Sequence, residues 1–240
     1  MKVEIWSDFV CPFCYIGKKK FEEALAQFAH KEQVVTEFRS FELDPNADSS
    51  ARMNTYEMLS KKYGMTMEQA KASSDNLVQQ AAAVGLEFRF DGALALNTFD
   101  AHRLAQYGES EGCGAQTAER LFRAYFTDNE DISDKTRLVE LAVEAGLDEA
   151  GAREVLESEQ FADVVRGQEE EGSRLGIRGV PFFVVDRKYA VSGAQSPAVF
   201  LDTLNKAWEA KYPTLVQVGD DQEGAACTDG YCAPGTDNKA

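Results

Sequence analysis

Two cysteine pairs stand near opposite ends of the chain. Cys11 and Cys14 form C-x-x-C, Cys227 and Cys232 form C-x4-C, and Cys113 stands by itself between Gly112 and Gly114. Cysteines at such spacings exchange disulfides, hold a metal ion or staple a fold. A staple is not needed here. A chain of 240 residues, 44% hydrophobic and 28% charged, buries a sizeable core without cross-links. Redox or metal chemistry is what remains. The charge balance then narrows the partners: Lys and Arg total 25 against 41 Asp and Glu, a formal net charge of −16. Such a surface repels phosphate backbones and anionic headgroups, so neither nucleic acid nor a membrane is an expected partner. No apolar run after Met1 reads as a signal peptide, and no stretch of about 18 apolar residues occurs. A cytoplasmic location is the expectation, where thiols are kept reduced.

The elements that must position the first pair can be read around it. Val3, Glu4, Ile5 and Trp6 alternate as a short strand, and Pro12 suits the first position of a helix, where its missing N–H costs nothing. Phe21, Leu25 and Phe28 then recur on one helical face to about Ala29, and a second strand fits residues 34–41. Residues 1–41 therefore read β–α–β, with Cys11 and Cys14 at the strand-to-helix turn. From residue 45 the period is helical. Tyr56, Leu59 and Tyr63 share a face ending at Gly64, and Thr66 with Gln69 makes a capping box for a helix closed by Gly85. Further helices are expected over 98–107, 115–126, 134–145, 148–156 and 160–175, with 86–90 briefly extended. Strands return at 181–185 and 189–191, and a helix from Pro197 carries Phe200, Leu204 and Trp208 as its buried stripe. A β–α–β start and a β–β–α finish thus enclose a helical insertion. Residues 1–44 and 176–212 form the two parts of one domain, 45–175 the insertion and 213–240 a glycine-rich, acidic tail of flexible composition.

In that setting C-x-x-C reads as a thioredoxin-like redox motif. Cys11 faces the unpaired N–H groups and positive dipole end of its helix, which favour the reactive thiolate. Cys14, one turn deeper, is placed to attack a mixed disulfide at Cys11. Val180-Pro181 opens the later strand, and X–Pro is where cis bonds occur. A cis bond there, beside the dithiol, leaves the Val180 backbone free to pair with an extended substrate peptide.

The segment Ser7, Asp8, Phe9, Val10, Cys11, Pro12, Phe13, Cys14, Tyr15, Ile16, Gly17 resembles the active-site segment of DsbA-family oxidoreductases, most closely the FrnE-like branch. Asn97 to Leu104 is similar to a second motif of that branch, and Gly176 to Phe183 to the family's cis-proline loop. The resemblance covers residues 1 to about 210. It implies a thioredoxin fold with an inserted helical domain, a dithiol/disulfide exchange activity, Cys11 as nucleophile, Cys14 as resolving cysteine and Pro181 as the cis proline. The expected activity is that of a thiol–disulfide oxidoreductase or isomerase acting on protein or small-molecule disulfides, glutathione among them, with no cofactor and no bound metal. Two other readings stay open: a glutathione-dependent isomerase or transferase of the same architecture, and a four-thiolate zinc site from Cys11, Cys14, Cys227 and Cys232.

The remaining candidates are weaker. His102 stabilises a thiolate or binds a substrate group if its helix faces the dithiol, and is otherwise a hydrogen-bonded structural histidine. His30 belongs to a helix end, Cys113 reads as a bystander thiol, and Lys18, Lys19 and Lys20 read as a solvated face whose charge modestly favours a Cys11 thiolate. Cys227 and Cys232, with Gly230 between them, suit a tight loop that closes into a disulfide. A flexible segment of roughly 15 residues from Tyr212 has a reach of roughly 20 Å, long enough for this pair to serve as a second redox site for the first.

Overall fold

Strand β1 (Lys2–Ser7) runs through a turn into helix α1 (Pro12–Gln27), and the chain returns as β2 (Val35–Ser40), parallel to β1. Helices α2 (Thr55–Tyr63), α3 (Met67–Ala82), α4 (Phe99–Ser110), α5 (Gly114–Phe126), α6 (Lys135–Glu144), α7 (Glu149–Glu157) and α8 (Ala162–Arg174) make up the insertion. Strands β3 (Phe182–Val185) and β4 (Tyr189–Ser192) and helix α9 (Pro197–Lys211) follow. These elements belong to a computed structural model that describes residues 1–213 and the backbone of two short strands, β5 (Ala226–Thr228) and β6 (Tyr231–Ala233). Residues Met1–Ala207 form one compact unit and Trp208–Ala240 a second. Within the second, β5 and β6 pair antiparallel and set Cys227 opposite Cys232.

The sheet has the order β2-β1-β3-β4, with β3 antiparallel to both neighbours. The expected thioredoxin fold with a large helical insertion is what the chain adopts. One face of the sheet carries Val3, Ile5, Phe183 and Val191, all nearly inaccessible, and Phe183 meets Phe21 of α1 and Phe200 of α9 at centroid distances of 5.6 and 4.6 Å. The buried stripe of α9 is Phe200, Leu204 and Ala207. The expected third member, Trp208, is only half-buried, and its ring lies 4.3 Å from that of Tyr212. The opposite face packs Trp6, Val184 and Ile177 against Phe41, Val180 and Phe182. Gly172 allows α8 to approach this face, because a Cβ there would stand 2.9 Å from the Trp6 indole nitrogen. Glu4, fully buried on the same strand, is tolerated because Arg39 (2.5 Å), Lys2 (3.5 Å) and Arg187 surround its carboxylate.

The free edge of β2 would otherwise expose unpaired backbone groups. Side chains of the insertion cover it. The Phe38 N–H donates to Glu109 Oε1 (2.8 Å) and the Ser40 N–H to Gln168 Oε1 (2.7 Å), while Gln106 Nε2 donates to the Phe38 carbonyl (3.2 Å). Gln168 Nε2 in turn donates to Gln106 Oε1 (2.7 Å), so two buried amides from α4 and α8 stand in for a neighbouring strand. Gln168→Leu removes one donor and one acceptor and strands the Ser40 N–H. It is expected to destabilise the protein by about 1–3 kcal/mol in urea unfolding with an unchanged circular dichroism spectrum. A loss well under about 0.5 kcal/mol would show that water replaces the amide.

Candidate active site

Beyond Ser7, the turn closes when the Cys11 N–H donates to the Asp8 carbonyl (3.0 Å), and Cys11 becomes the N-cap of α1 with Pro12 at the first helical position. The Cys14 N–H donates to the Cys11 carbonyl (3.1 Å), one turn in. No acidic side chain lies in this first turn to oppose a thiolate. Both cysteines are free thiols, but their surroundings differ: Cys11 is 4% exposed and Cys14 is fully buried. Burial pushes the Cys14 thiol well above the ordinary range, and the adjacent Cys11 side chain pushes it further in the same direction.

The Val180–Pro181 bond is cis. Its loop lies against the dithiol, with Cys11 Sγ 3.7 Å from the Val180 carbonyl oxygen. The Pro181 carbonyl accepts from the Gly193 N–H (2.8 Å), which ties the loop to the end of β4. Gly17 sets the distance between α1 and this loop: a Cβ there would stand 3.0 Å from Pro181 Cγ and 3.4 Å from Ala194. Cys11, Cys14, Val180 and Pro181 thus come together at one end of the sheet.

His102 sits elsewhere than on the surface of this site. It is 2% exposed beneath the turn, its ring 4.9 Å from that of Phe9 and its Nε2 3.5 Å from Asp8 Oδ1. That depth sets it against Asp8 and Phe9 under the turn rather than on the surface of the site. Asp8 is also buried, and its Oδ2 accepts from the Leu43 N–H (2.7 Å). Asp8 Oδ1, Ser7 Oγ and His102 Nε2 are buried without a hydrogen-bond partner among the described residues. Sequence reasoning passed over Asp8 because a lone acid at a turn usually caps solvent-facing backbone.

The lysine run needs a correction as well. Lys18 is not on a solvated face: it is 4% exposed and reaches Glu22 (2.5 Å) and Glu119 of α5. Lys19 also meets Glu119 (2.9 Å), and the Tyr15 O–H donates to the same carboxylate (2.7 Å). Burial alone would raise the Glu119 carboxyl, but Lys18, Lys19 and Tyr15 hold it below its ordinary value. The Lys18 and Lys19 charges are thus matched by Glu22 of α1 and Glu119 of the insertion, while Lys20 donates to the Ala194 carbonyl (3.2 Å). Tyr15 also stacks on Phe122 of α5, centroids 5.0 Å apart, so α1 is held to the insertion by one polar clamp and one aromatic stack. Cys113 is the N-cap of α5, half-buried, and His30 packs its ring 5.6 Å from Phe28. Among the described residues no group of three His, Cys, Asp or Glu gathers to hold a metal ion. The four-thiolate alternative draws on Cys227 and Cys232, whose side chains lie outside the described residues.

A dithiol at a helix N-terminus beneath a cis-proline loop, on a thioredoxin fold with an all-helical insertion, defines the class. Residues 2–205 match the DSBA-like thioredoxin domain, and the chain belongs to that family. It is 45% identical in sequence to the crystal structure of a probable DsbA oxidoreductase from Streptomyces coelicolor, with a TM-score of 0.84 over 97% of this chain and 98% of that one. It is 30% identical over 206 residues to the Bacillus subtilis protein YwbO, described as uncharacterised, covering 82% of this chain and 92% of YwbO. The cytosolic disulfide reductase DsbM of Pseudomonas aeruginosa, solved with GSH, shares the fold at 17% identity and a TM-score of 0.62, over 87% of this chain and all (100%) of DsbM. Among the described residues no helix is long and apolar enough to cross a membrane.

Proposed function

We propose that this protein is a cytosolic thiol–disulfide oxidoreductase and disulfide isomerase in which Cys11 attacks and Cys14 resolves. The observation that carries the reading is the contrast between Cys11, capping α1 beside the Val180 carbonyl, and Cys14, fully buried one turn in with its thiol held protonated. As a reductase, the Cys11 thiolate attacks one sulfur of a substrate disulfide. The substrate S–S bond breaks, and its electron pair leaves on the other sulfur, which takes up a proton. Cys14 then loses its proton and attacks Cys11 Sγ, expelling the second substrate thiolate. The substrate has gained two electrons and the enzyme holds a Cys11–Cys14 disulfide. As an isomerase, a substrate thiolate attacks the mixed disulfide instead and Cys11 is regenerated. The Val180 backbone, beside Cys11, pairs with the extended substrate chain. The name of DsbM, a cytosolic disulfide reductase of the same fold, supports the compartment and the direction.

The Cys227/Cys232 pair serves the first as a relay. Its support is the hairpin register, which opposes the two residues across β5 and β6. Opposed residues of an antiparallel ladder stand about 4.5–5.5 Å apart between Cα atoms, within the span of a disulfide. A tethered pair acts at an effective concentration on the order of millimolar, sufficient to compete with cytosolic thiols. In that relay the Cys227/Cys232 dithiol hands two electrons to the Cys11–Cys14 disulfide and becomes oxidised itself. Removing residues 225–240 is expected to leave the melting temperature of the body unchanged and to lower multiple-turnover insulin reduction several-fold. Single-turnover exchange at Cys11 is expected to stay as it was. Unchanged multiple-turnover kinetics in the truncated protein would remove the relay and leave the Cys11/Cys14 chemistry standing.

A further inference from the structure

Four buried side-chain atoms lack a hydrogen-bond partner among the described residues and stand around the start of the active-site turn: Ser7 Oγ, Asp8 Oδ1, Glu42 Oε1 and His102 Nε2. The segments that carry them are tied together. The Phe41 N–H donates to the Ser7 carbonyl (3.2 Å) and the Leu43 N–H to Asp8 Oδ2 (2.7 Å), so Glu42 stands between two residues fastened to the turn. His102 arrives from α4, with its Nε2 3.5 Å from Asp8 Oδ1. Unpaired buried polar atoms are destabilising, and several at one place call for a use.

The cluster meets Cys14 on one side and the surface on the other. Burial raises the Cys14 thiol most, and the Cys11 side chain adds to it; the Asp8 N–H opposes the rise and the Asp8 carboxylate reinforces it. Asp8 therefore acts on the Cys14 sulfur through both its backbone and its charge. On the far side, the Glu42 side chain is fully buried and its Oε2 accepts from Arg166 of α8, whose side chain is 49% exposed. Burial raises the Glu42 carboxyl; Arg166 pulls it down, Glu169 pushes it up and His102 pulls it down. Arg166 is shared with Glu169 (2.7 Å). Tyr125 of α5, also within reach of the Asp8 charge, is pushed up to about 12 by burial and keeps its proton on the Leu94 carbonyl (2.8 Å). Two carboxylates thus flank His102 and one shared guanidinium serves them, so a proton received by the imidazole is paired at once.

We propose that His102 is a positioning residue for the resolving step, drawing the Cys14 proton away through Asp8 and holding it between Asp8 and Glu42. The inference rests on the proposed exchange at Cys11 and Cys14 and supplies the acceptor that resolution requires. The Cys14 S–H bond breaks, the Asp8 carboxylate takes the proton and passes it from Oδ1 to His102 Nε2, and Asp8 is a carboxylate again. The Cys14 thiolate attacks Cys11 Sγ, the bond from Cys11 to the substrate sulfur breaks, and the substrate thiolate leaves with the electron pair. The imidazolium then returns its proton to solvent by way of Asp8, which borders a cavity of about 230 Å³ between the turn and α2. A helix of the insertion in this way takes part in a step carried out on the thioredoxin fold.

The test separates attack from resolution. Reduced full-length protein is mixed with less than one equivalent of 4,4′-dithiodipyridine, whose low-pKa leaving group makes loss of the Cys14 proton the slow part of resolution. Acid quench and peptide mapping by mass follow first the adduct on Cys11 and then the Cys11–Cys14 disulfide, from about pH 5 to 9. In His102→Gln, resolution near neutrality is expected to slow at least about tenfold while attack keeps its rate. The deficit is expected to shrink as pH rises toward the Cys14 value, where the thiolate forms unaided. Asp8→Asn, which keeps an acceptor for the Leu43 N–H, should slow resolution alike, and the double variant no more than either single one, as for groups that act as a unit. In the wild type, the His102 ring signals in nitrogen-15 NMR should titrate at the bend in the resolution profile, with His30, the other of the two histidines, as reference. Wild-type resolution in His102→Gln, a loss of the same factor at every pH, additive losses in the double variant, or a His102 titration away from the bend would each overturn the relay and leave exchange at Cys11 standing. Absence of an adduct on Cys11 in the wild type would overturn the proposed function and the relay together.

Discussion

Cys14→Ser will accumulate covalent mixed disulfides with protein substrates, and Cys11→Ser will accumulate none. In the first variant the thiol at the α1 N-cap still attacks, and the buried group that would release the product is gone. In the second, the remaining thiol is fully buried and held protonated, so it lacks both access and charge. Turnover of insulin disulfides should fall at least about a thousandfold in Cys11→Ser, the scale seen when a covalent nucleophile is removed. The wild-type pH profile follows from the same asymmetry. Cys14 is raised above its ordinary value, so near neutrality it is a neutral thiol and must lose its proton to resolve the mixed disulfide. Release of the second substrate thiolate should therefore speed up as pH rises through neutrality toward the Cys14 value. Mass spectrometry of trapped complexes and a rapid-quench pH series check both statements. Mixed disulfides attached to Cys14 in the Cys11→Ser protein would reverse the assignment.

The positions of Cys11, Cys14 and Pro181 were legible because each carries a local signal. A proline at the first helical position, an apolar face at Phe21, Leu25 and Phe28, and a C-x-x-C at the turn between strand and helix are read within a few residues of one another. The same holds for the Thr66–Gln69 capping box, present in the structure with bonds of 3.2 and 2.9 Å, and for Gly64, which ends α2 in the left-handed region at φ 66°. The groups that hold these elements together gave no such signal. Lys18 meets an acid 101 residues away, and the edge of β2 is capped by an amide 128 residues from Ser40. Periodicity reports which face of one element is apolar. It carries no record of which buried charge another element supplies, so three consecutive lysines read as a wet surface. The two readings of His102 stayed open for a related reason: the sequence puts it on a helix, and only the packing of α4 under the turn decides which way that helix faces.

Arg103→Met will destabilise the protein by about 3–5 kcal/mol, the cost of removing one partner from a buried ionic network. Arg103 is 2% exposed on α4. Its Nε donates to the Gln160 carbonyl (2.8 Å), one terminal nitrogen donates to Asp100 Oδ1 (2.7 Å), and the other serves the Val155 and Ser158 carbonyls. Those carbonyls lie at the C-terminal end of α7 and in the link to α8, where helix geometry leaves acceptors without partners. One planar guanidinium thus closes α7 from α4. A lysine has a single ammonium and cannot span the same fork, so Arg103→Lys should recover only part of the loss. For a chain of this size the full effect corresponds to a fall of about 10 °C in melting temperature. The consequence reaches the dithiol through α4, which also carries Gln106 and Glu109 on the β2 edge and His102 against Asp8. The variant should therefore show faster hydrogen exchange at the Phe38 and Ser40 amides as well as in α7. Equal stability of Arg103→Met and wild type in urea unfolding would show that the α7 carbonyls find other donors and that α4 is held in place by its apolar contacts.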